Sequence, residues 1–177
     1  MVEIATQQEH RRIYFTGEVN EESSKTTIVN LLDLEAKDPL KDIIFYINSY
    51  GGIADDFIAI HDVIKMLRCR VITVCVGKAM SCSAYLLMSG NKDCRFITSN
   101  SRVMLHQLSG VPCGTLSEIE NNVEQLKTQN DKIKKIVSEY TKITKKNIDR
   151  IFSKDSYFCA SFIEFATVPV ILPNKSF

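Results

Sequence analysis

Short apolar runs and longer amphipathic stretches succeed one another along the chain, and this succession predicts alternating strands and helices. Residues 12–16 read as a first strand, followed by an amphipathic helix over 21–36 with Asn20 as its N-cap and Pro39 beyond its end. The apolar run 43–47 reads as a buried second strand. Residues 54–67 place Phe57, Ile60, Ile64 and Leu67 on one helical face, and 71–76 read as a third strand. A helix over 81–89 and short strands at 95–98 and 102–105 come next. The pattern then lengthens: 117–140 carries Ile119, Val123, Leu126, Ile133, Ile136 and Val137 at helical spacing, and 145–152 is a short helix. Strand, helix, strand at these intervals predicts an α/β fold of crossover units on a parallel sheet. The long helix has two ways to bury its stripe, against its own sheet or against a second copy of the chain.

Candidate chemistry concentrates where the third strand gives way to helix. The run Gly77-Lys-Ala-Met-Ser81-Cys delivers a serine at a strand-to-helix junction, where it can be held rigidly beside unpaired backbone N–H groups. Ser81 is therefore either a nucleophile or simply the cap of the following helix. The second strand closes on Gly51 and Gly52, and paired glycines let backbone N–H groups approach a ligand, as an oxyanion donor must. His106, at the end of the strand 102–105, is either a general base for a serine or a hydrogen-bonded structural histidine. Of the other two histidines, His10 lies in a polar segment and His61 within a helix, both read as surface or packing residues.

Composition narrows the classes. A chain of 177 residues with 45% apolar content and no charged block reads as one globular domain over 1–177. Net charge is +1 with the signs interspersed, so nothing points to nucleic acid or an acidic lipid surface. The N-terminus has no apolar signal region, and no apolar stretch reaches transmembrane length, so a soluble, unexported protein is expected. The six cysteines form no C-x-x-C pair and the three histidines are scattered, so no metal site is expected and the thiols read as free ones in a reducing compartment. Cys82 stands apart, because a thiol at a helix N-terminus can have a depressed pKa and serve as an alternative nucleophile.

Four motifs in order carry a family resemblance. Tyr46-Ile-Asn-Ser-Tyr-Gly-Gly52 resembles Y-I-N-S-P-G-G, and Gly77-Lys-Ala-Met-Ser81-Cys resembles G-x-A-A-S-M. Asn100-Ser-Arg-Val-Met-Leu-His106-Gln resembles N-S-R-V-M-I-H-Q, and Lys154-Asp155-Ser-Tyr-Phe resembles R-D-x-F. Over about residues 12–172 the sequence is similar to the proteolytic subunits of the Clp protease family, in the ClpP/crotonase superfamily. The resemblance implies a fold of repeated β-β-α units with a protruding handle helix, the handle segment spanning about 108–140 with a flexible, strand-like start at 108–114. It implies a serine endopeptidase with Ser81 as nucleophile, His106 as base and Asp155 as the acid that fixes the imidazole, an aspartate that read alone is a turn or helix cap. It also implies an oxyanion hole of the Gly52 and Cys82 N–H groups. Asp155 is expected to be partly desolvated and hydrogen-bonded to His106, and Asp149 to be a solvated carboxylate without a basic partner.

The resemblance further implies unfolded polypeptides as substrates, self-association into heptameric rings that stack in pairs, a separate Clp-family ATPase, no cofactor, and a cytoplasmic or organelle-matrix location. No phosphate-binding G-x-x-x-x-G-K-[ST] loop occurs in the chain itself. Two other readings are carried: a weakly active or inactive ring subunit among active paralogues, and an acyl-CoA enzyme of the crotonase fold. Departures from the family pattern are Tyr50 and Leu108 at two proline positions, Ser153-Lys154 in place of Asp-Arg, and Phe165 to Pro169 in place of Y-G-L-I-D. About a dozen residues precede the predicted first strand, fewer than an axial gating loop requires.

Overall fold

The computed structural model of the chain describes residues 6–7, 11–159 and 170–171. In chain order the elements are β1 (Thr6–Gln7), β2 (Arg12–Val19), α1 (Glu21–Lys37), β3 (Ile43–Gly52), α2 (Ala54–Met66), β4 (Val71–Met80), α3 (Cys82–Ser89), β5 (Arg95–Thr98), β6 (Arg102–Leu105), α4 (Leu116–Tyr140), α5 (Lys145–Phe152), β7 (Ser156–Cys159) and β8 (Val170–Ile171). The strands form one sheet in the order β1-β2-β3-β4-β5-β8, with β6 set against β4 and β7 against β6. From β2 to β5 neighbouring strands run parallel, as their helical crossovers require. The fold is mixed α/β.

Three strands run further than the apolar pattern suggests. The sequence places their ends at 16, 47 and 76, but β2 and β4 pair on beyond Gly17 and Gly77, and β3 continues through Gly51 to end at Gly52. The β2–β3 register shifts between Thr16 and Glu18, and the β3–β4 register jumps from Ile47↔Cys75 to Ser49↔Ala79. Gly17 and Gly77, with φ of 94° and 81°, lie inside these register shifts and absorb a bulge, whereas Gly51, with φ of 100°, pairs with Glu18 just after one and β3 ends at the next residue.

That bulge in β4 decides where the chemistry falls. The first half of β4 pairs with β5, at Thr73↔Arg95 to Cys75↔Ile97, and the second half pairs with β6, at Lys78↔Arg102 to Met80↔Met104. Because β4 and β6 are parallel and in register, both chains leave the sheet at the same edge, delivering Ser81 and His106 side by side. The antiparallel register Leu105↔Ser156 between β6 and β7 then brings Asp155 opposite His106. Neither β1, which lies in the segment read as preceding the first strand, nor β7, read as an aromatic run, is apparent from apolar periodicity.

The core lies between the sheet and its helices. Ile13, Phe15, Phe45 and Ile47 from the strands meet Leu31 and Leu34 of α1 and Phe57, Ile60 and Ile64 of α2, all buried. Helix α1 opens with a capping box: Asn20 Oδ1 accepts from Ser23 N at 3.0 Å and Asn20 N donates to Ser23 Oγ at 2.9 Å. Every residue of α3 is buried, Ser83 and Ser89 included. Helix α4 is different. Only Ile133 and Val137 are buried, and Ile119, Val123 and Leu126 form a half-exposed stripe along its first half. The segment 108–114, expected to be strand-like, joins no strand among the described residues, and Leu108 N instead donates to Asn130 Oδ1 at 3.1 Å.

Candidate active site

Ser81 stands at φ 53°, ψ −127°, a conformation that costs a non-glycine residue about 1–3 kcal/mol and persists only when its surroundings enforce it. They do so from three sides. Ser81 N donates to Met104 O at 2.9 Å, tying the turn to β6. The buried Ser83 hydroxyl accepts from Met80 N at 2.8 Å and lies 2.7 Å from Ser49 O, tying the turn to β3. Gly51 packs so closely that a Cβ there would lie 2.6 Å from Met80 O and 2.8 Å from Ser81 Cβ. A Cβ on Gly52 would lie 2.2 Å from Val19 O, so both glycines are required by close backbone approach.

The side chain of Ser81 makes no capping bond to α3. Its Oγ lies 2.7 Å from His106 Nε2 instead, the contact that a base for this hydroxyl makes. The cap reading of Ser81 therefore lacks its hydrogen bond, while the base reading of His106 has its geometry. On the other ring nitrogen, Asp155 Oδ1 lies 3.7 Å from His106 Nδ1, and the Asp155 side chain is 60% exposed. This corrects the expectation of a partly desolvated, hydrogen-bonded acid: 3.7 Å is a charge contact and not a hydrogen bond. Asp155 sits in the turn between α5 and β7, where Lys154, Arg150 and Tyr157 share with it a surface cavity of about 330 Å³.

Cys82 also departs from expectation. Its thiol is buried and donates to Gly52 O at 3.2 Å, and burial pushes its pKa up to about 11. Desolvation outweighs the helix N-terminus here, so the thiol is a poor nucleophile. The Cys82 N–H, by contrast, is the first of α3, among the donors for which a helix has no internal acceptor, and lies beside Gly51. Gly52, Ser81 and His106 together line a cleft of about 300 Å³ that reaches across to α4.

Tyr85 is the participant that the sequence reading passed over. It sits one helical turn after Ser81, is fully buried against Phe57 and Phe152, and its hydroxyl donates to His106 O at 2.7 Å. A buried tyrosine hydroxyl must find a partner, but nothing in the sequence names which. The loop that has tyrosine in place of proline is also tied down: Gly51 N donates to Ser49 Oγ at 3.0 Å, and Lys78 Nζ lies 4.3 Å from the centre of the Tyr50 ring. Asp149, expected to be unpaired, receives a hydrogen bond from Lys134 Nζ at 2.8 Å that joins α5 to α4. His61 is a packing residue, buried and 2.8 Å from Ser89 Oγ, and His10 lies outside the described residues, as does the stretch from Phe165 to Pro169.

Comparison with known proteins agrees with this architecture. The family model described as Clp protease matches residues 2–163. The chain belongs to the Clp protease family. Among the described residues no helix is long and apolar enough to cross a membrane, and no group of three or more acidic, histidine or cysteine side chains is placed to hold a metal ion.

Proposed function

We propose that this chain is a serine-type endopeptidase subunit that cleaves unfolded polypeptides through an acyl-enzyme. The observation that carries the reading is the 2.7 Å contact between Ser81 Oγ and His106 Nε2 at a strained strand-to-helix turn. Ser81 Oγ attacks the scissile carbonyl as its proton passes to His106 Nε2, and the N–H groups of Gly52 and Cys82 receive the oxyanion. The C–N bond then breaks, His106 returns the proton to the leaving amine, and water attacks the ester by the same route to free Ser81. Asp155 favours the imidazolium from 3.7 Å.

The subunit works inside an assembly of two stacked heptameric rings. In support, the stripe of Ile119, Val123 and Leu126 on α4 is left half-exposed by its own chain. A separate Clp-family ATPase supplies unfolded chains, in the cytoplasm or an organelle matrix. A second reading, a weakly active ring subunit, is favoured by the exposure of Asp155 and its distance from His106. The mass of the purified assembly, measured before and after reaction with an uncharged fluorophosphonate, tests the two parts together. One label per subunit on a ring-sized species is expected. A monomer, or a ring that takes no label, contradicts one part or the other.

A further inference from the structure

The cleft beside Ser81 is lined on its apolar sides by Ile53, Leu108 and Leu126 and, among the described residues, carries a single carboxylate, Asp55. Asp55 lies in the first turn of α2, three residues after Gly52, and its Oδ1 accepts from Gln129 Nε2 of α4 at 2.6 Å. That bond joins α2 to α4 between two residues that both line the cleft, and it holds the carboxylate in place. Among the described residues, no lysine or arginine lines the cleft to neutralise it. Asp56 and Glu21 stand close by, near enough that the charges of Glu21 and Asp55, after partial burial, help raise the Asp56 pKa. Three acidic side chains, Asp55, Asp56 and Glu21, thus lie near one another, with Asp55 the one that lines the cleft.

We propose that this cleft selects a basic side chain, lysine or arginine, on the residue whose carbonyl Ser81 attacks. The inference rests on the serine-peptidase reading above. A lysine or arginine has the two parts that the cleft offers partners for. Its aliphatic stem lies along Ile53, Leu108 and Leu126, and its cationic head reaches the Asp55 carboxylate, which keeps acceptor capacity beyond the bond from Gln129. An uncharged side chain of the same length gains the apolar contact alone, and a glutamate meets like charge.

The test compares peptide amides that differ only at that residue, carrying lysine, norleucine or glutamate, hydrolysed by the purified assembly in wild-type and Asp55→Asn forms. Asparagine keeps an oxygen for Gln129 and removes the charge. In the wild type kcat/KM for lysine is expected to exceed that for norleucine by about fivefold or more, a ratio that shrinks as salt screens the exposed charge. In Asp55→Asn the ratio is expected to fall to about one or below. Equal or better cleavage of norleucine by the wild type, or a lysine preference unchanged in Asp55→Asn, overturns the proposal. Labelling of wild-type Ser81 by an uncharged fluorophosphonate separates the two failures. A labelled enzyme without the lysine preference refutes the cleft assignment alone, whereas an unlabelled, inactive one refutes the peptidase reading and this proposal with it.

Discussion

The phenolic hydroxyl of Tyr85 donates to the carbonyl oxygen of His106 at 2.7 Å, so the helix that begins just after Ser81 also holds the backbone of its histidine partner. Both ends of the Ser81–His106 contact are thereby referred to α3, and Tyr85 is itself wedged between Phe57 and Phe152. Removing the hydroxyl loosens one end of that contact without opening the core. Tyr85→Phe is expected to lower kcat by about 5- to 30-fold, the value of one buried hydrogen bond, with KM little changed. Fluorophosphonate labelling of Ser81 should slow in parallel while assembly mass stays constant. Unchanged kcat contradicts a positioning role.

Legibility in the sequence followed the physics of each element. Helices α2 and α4 were readable because their apolar residues recur at helical spacing, and the Ser81 turn because glycine, serine and an apolar run change the period abruptly. The ends of β2, β3 and β4 were not, since Gly17 and Gly77 look like breaks when what they supply is a bulge, and β3 carries its pairing through polar residues to Gly52. Nor was β7, four residues long, whose register with β6 sets the place of Asp155. The resemblance supplied Asp155 as a candidate. Its exposure depends on how the α5–β7 turn sits on the surface, a tertiary property with no local signature.

Asp155 therefore invites a graded expectation. A buried triad aspartate is worth ~10⁴-fold in kcat. At 3.7 Å from Nδ1 and 60% exposed, Asp155 should be worth less, about 10- to 100-fold for Asp155→Asn in peptide hydrolysis. Asp149→Asn, which removes a surface contact to Lys134, is the control and should leave kcat/KM within about twofold. The reverse ranking removes Asp155 from the site.

His61 gives the fold an acid-sensitive point. Burial, aided by the neighbouring Lys65 charge and opposed by Asp62 and Glu139, lowers its pKa from 6.5 to about 4. The unfolded chain binds the extra proton between these values and the folded chain does not. Stability is thus complete above pH 6.5 and falls as pH drops toward 4, by about 3 kcal/mol in total from this group. Urea unfolding of wild type and His61→Gln across that window should show the wild type losing stability more steeply. Parallel curves contradict the assignment.

The half-exposed stripe on α4 should matter to assembly rather than to folding. Ile119→Asp with Val123→Asp touches no buried position of its own chain. Sedimentation velocity is expected to show a species of about half the wild-type mass, with thermal unfolding of the subunit nearly unchanged, as for the loss of an apolar interface. An intact full-size assembly in that variant rules out pairing of rings through this stripe.

The central claim, a serine nucleophile activated by His106, is tested most directly by locating the adduct of an uncharged fluorophosphonate by peptide mass spectrometry while following peptide hydrolysis on the same samples. The expected result is a single modified residue, Ser81, with hydrolysis lost in step with labelling. In Ser81→Ala both are expected to disappear, hydrolysis by at least ~10³-fold. Hydrolysis that persists in Ser81→Ala, or an adduct on any other residue of an active enzyme, contradicts it.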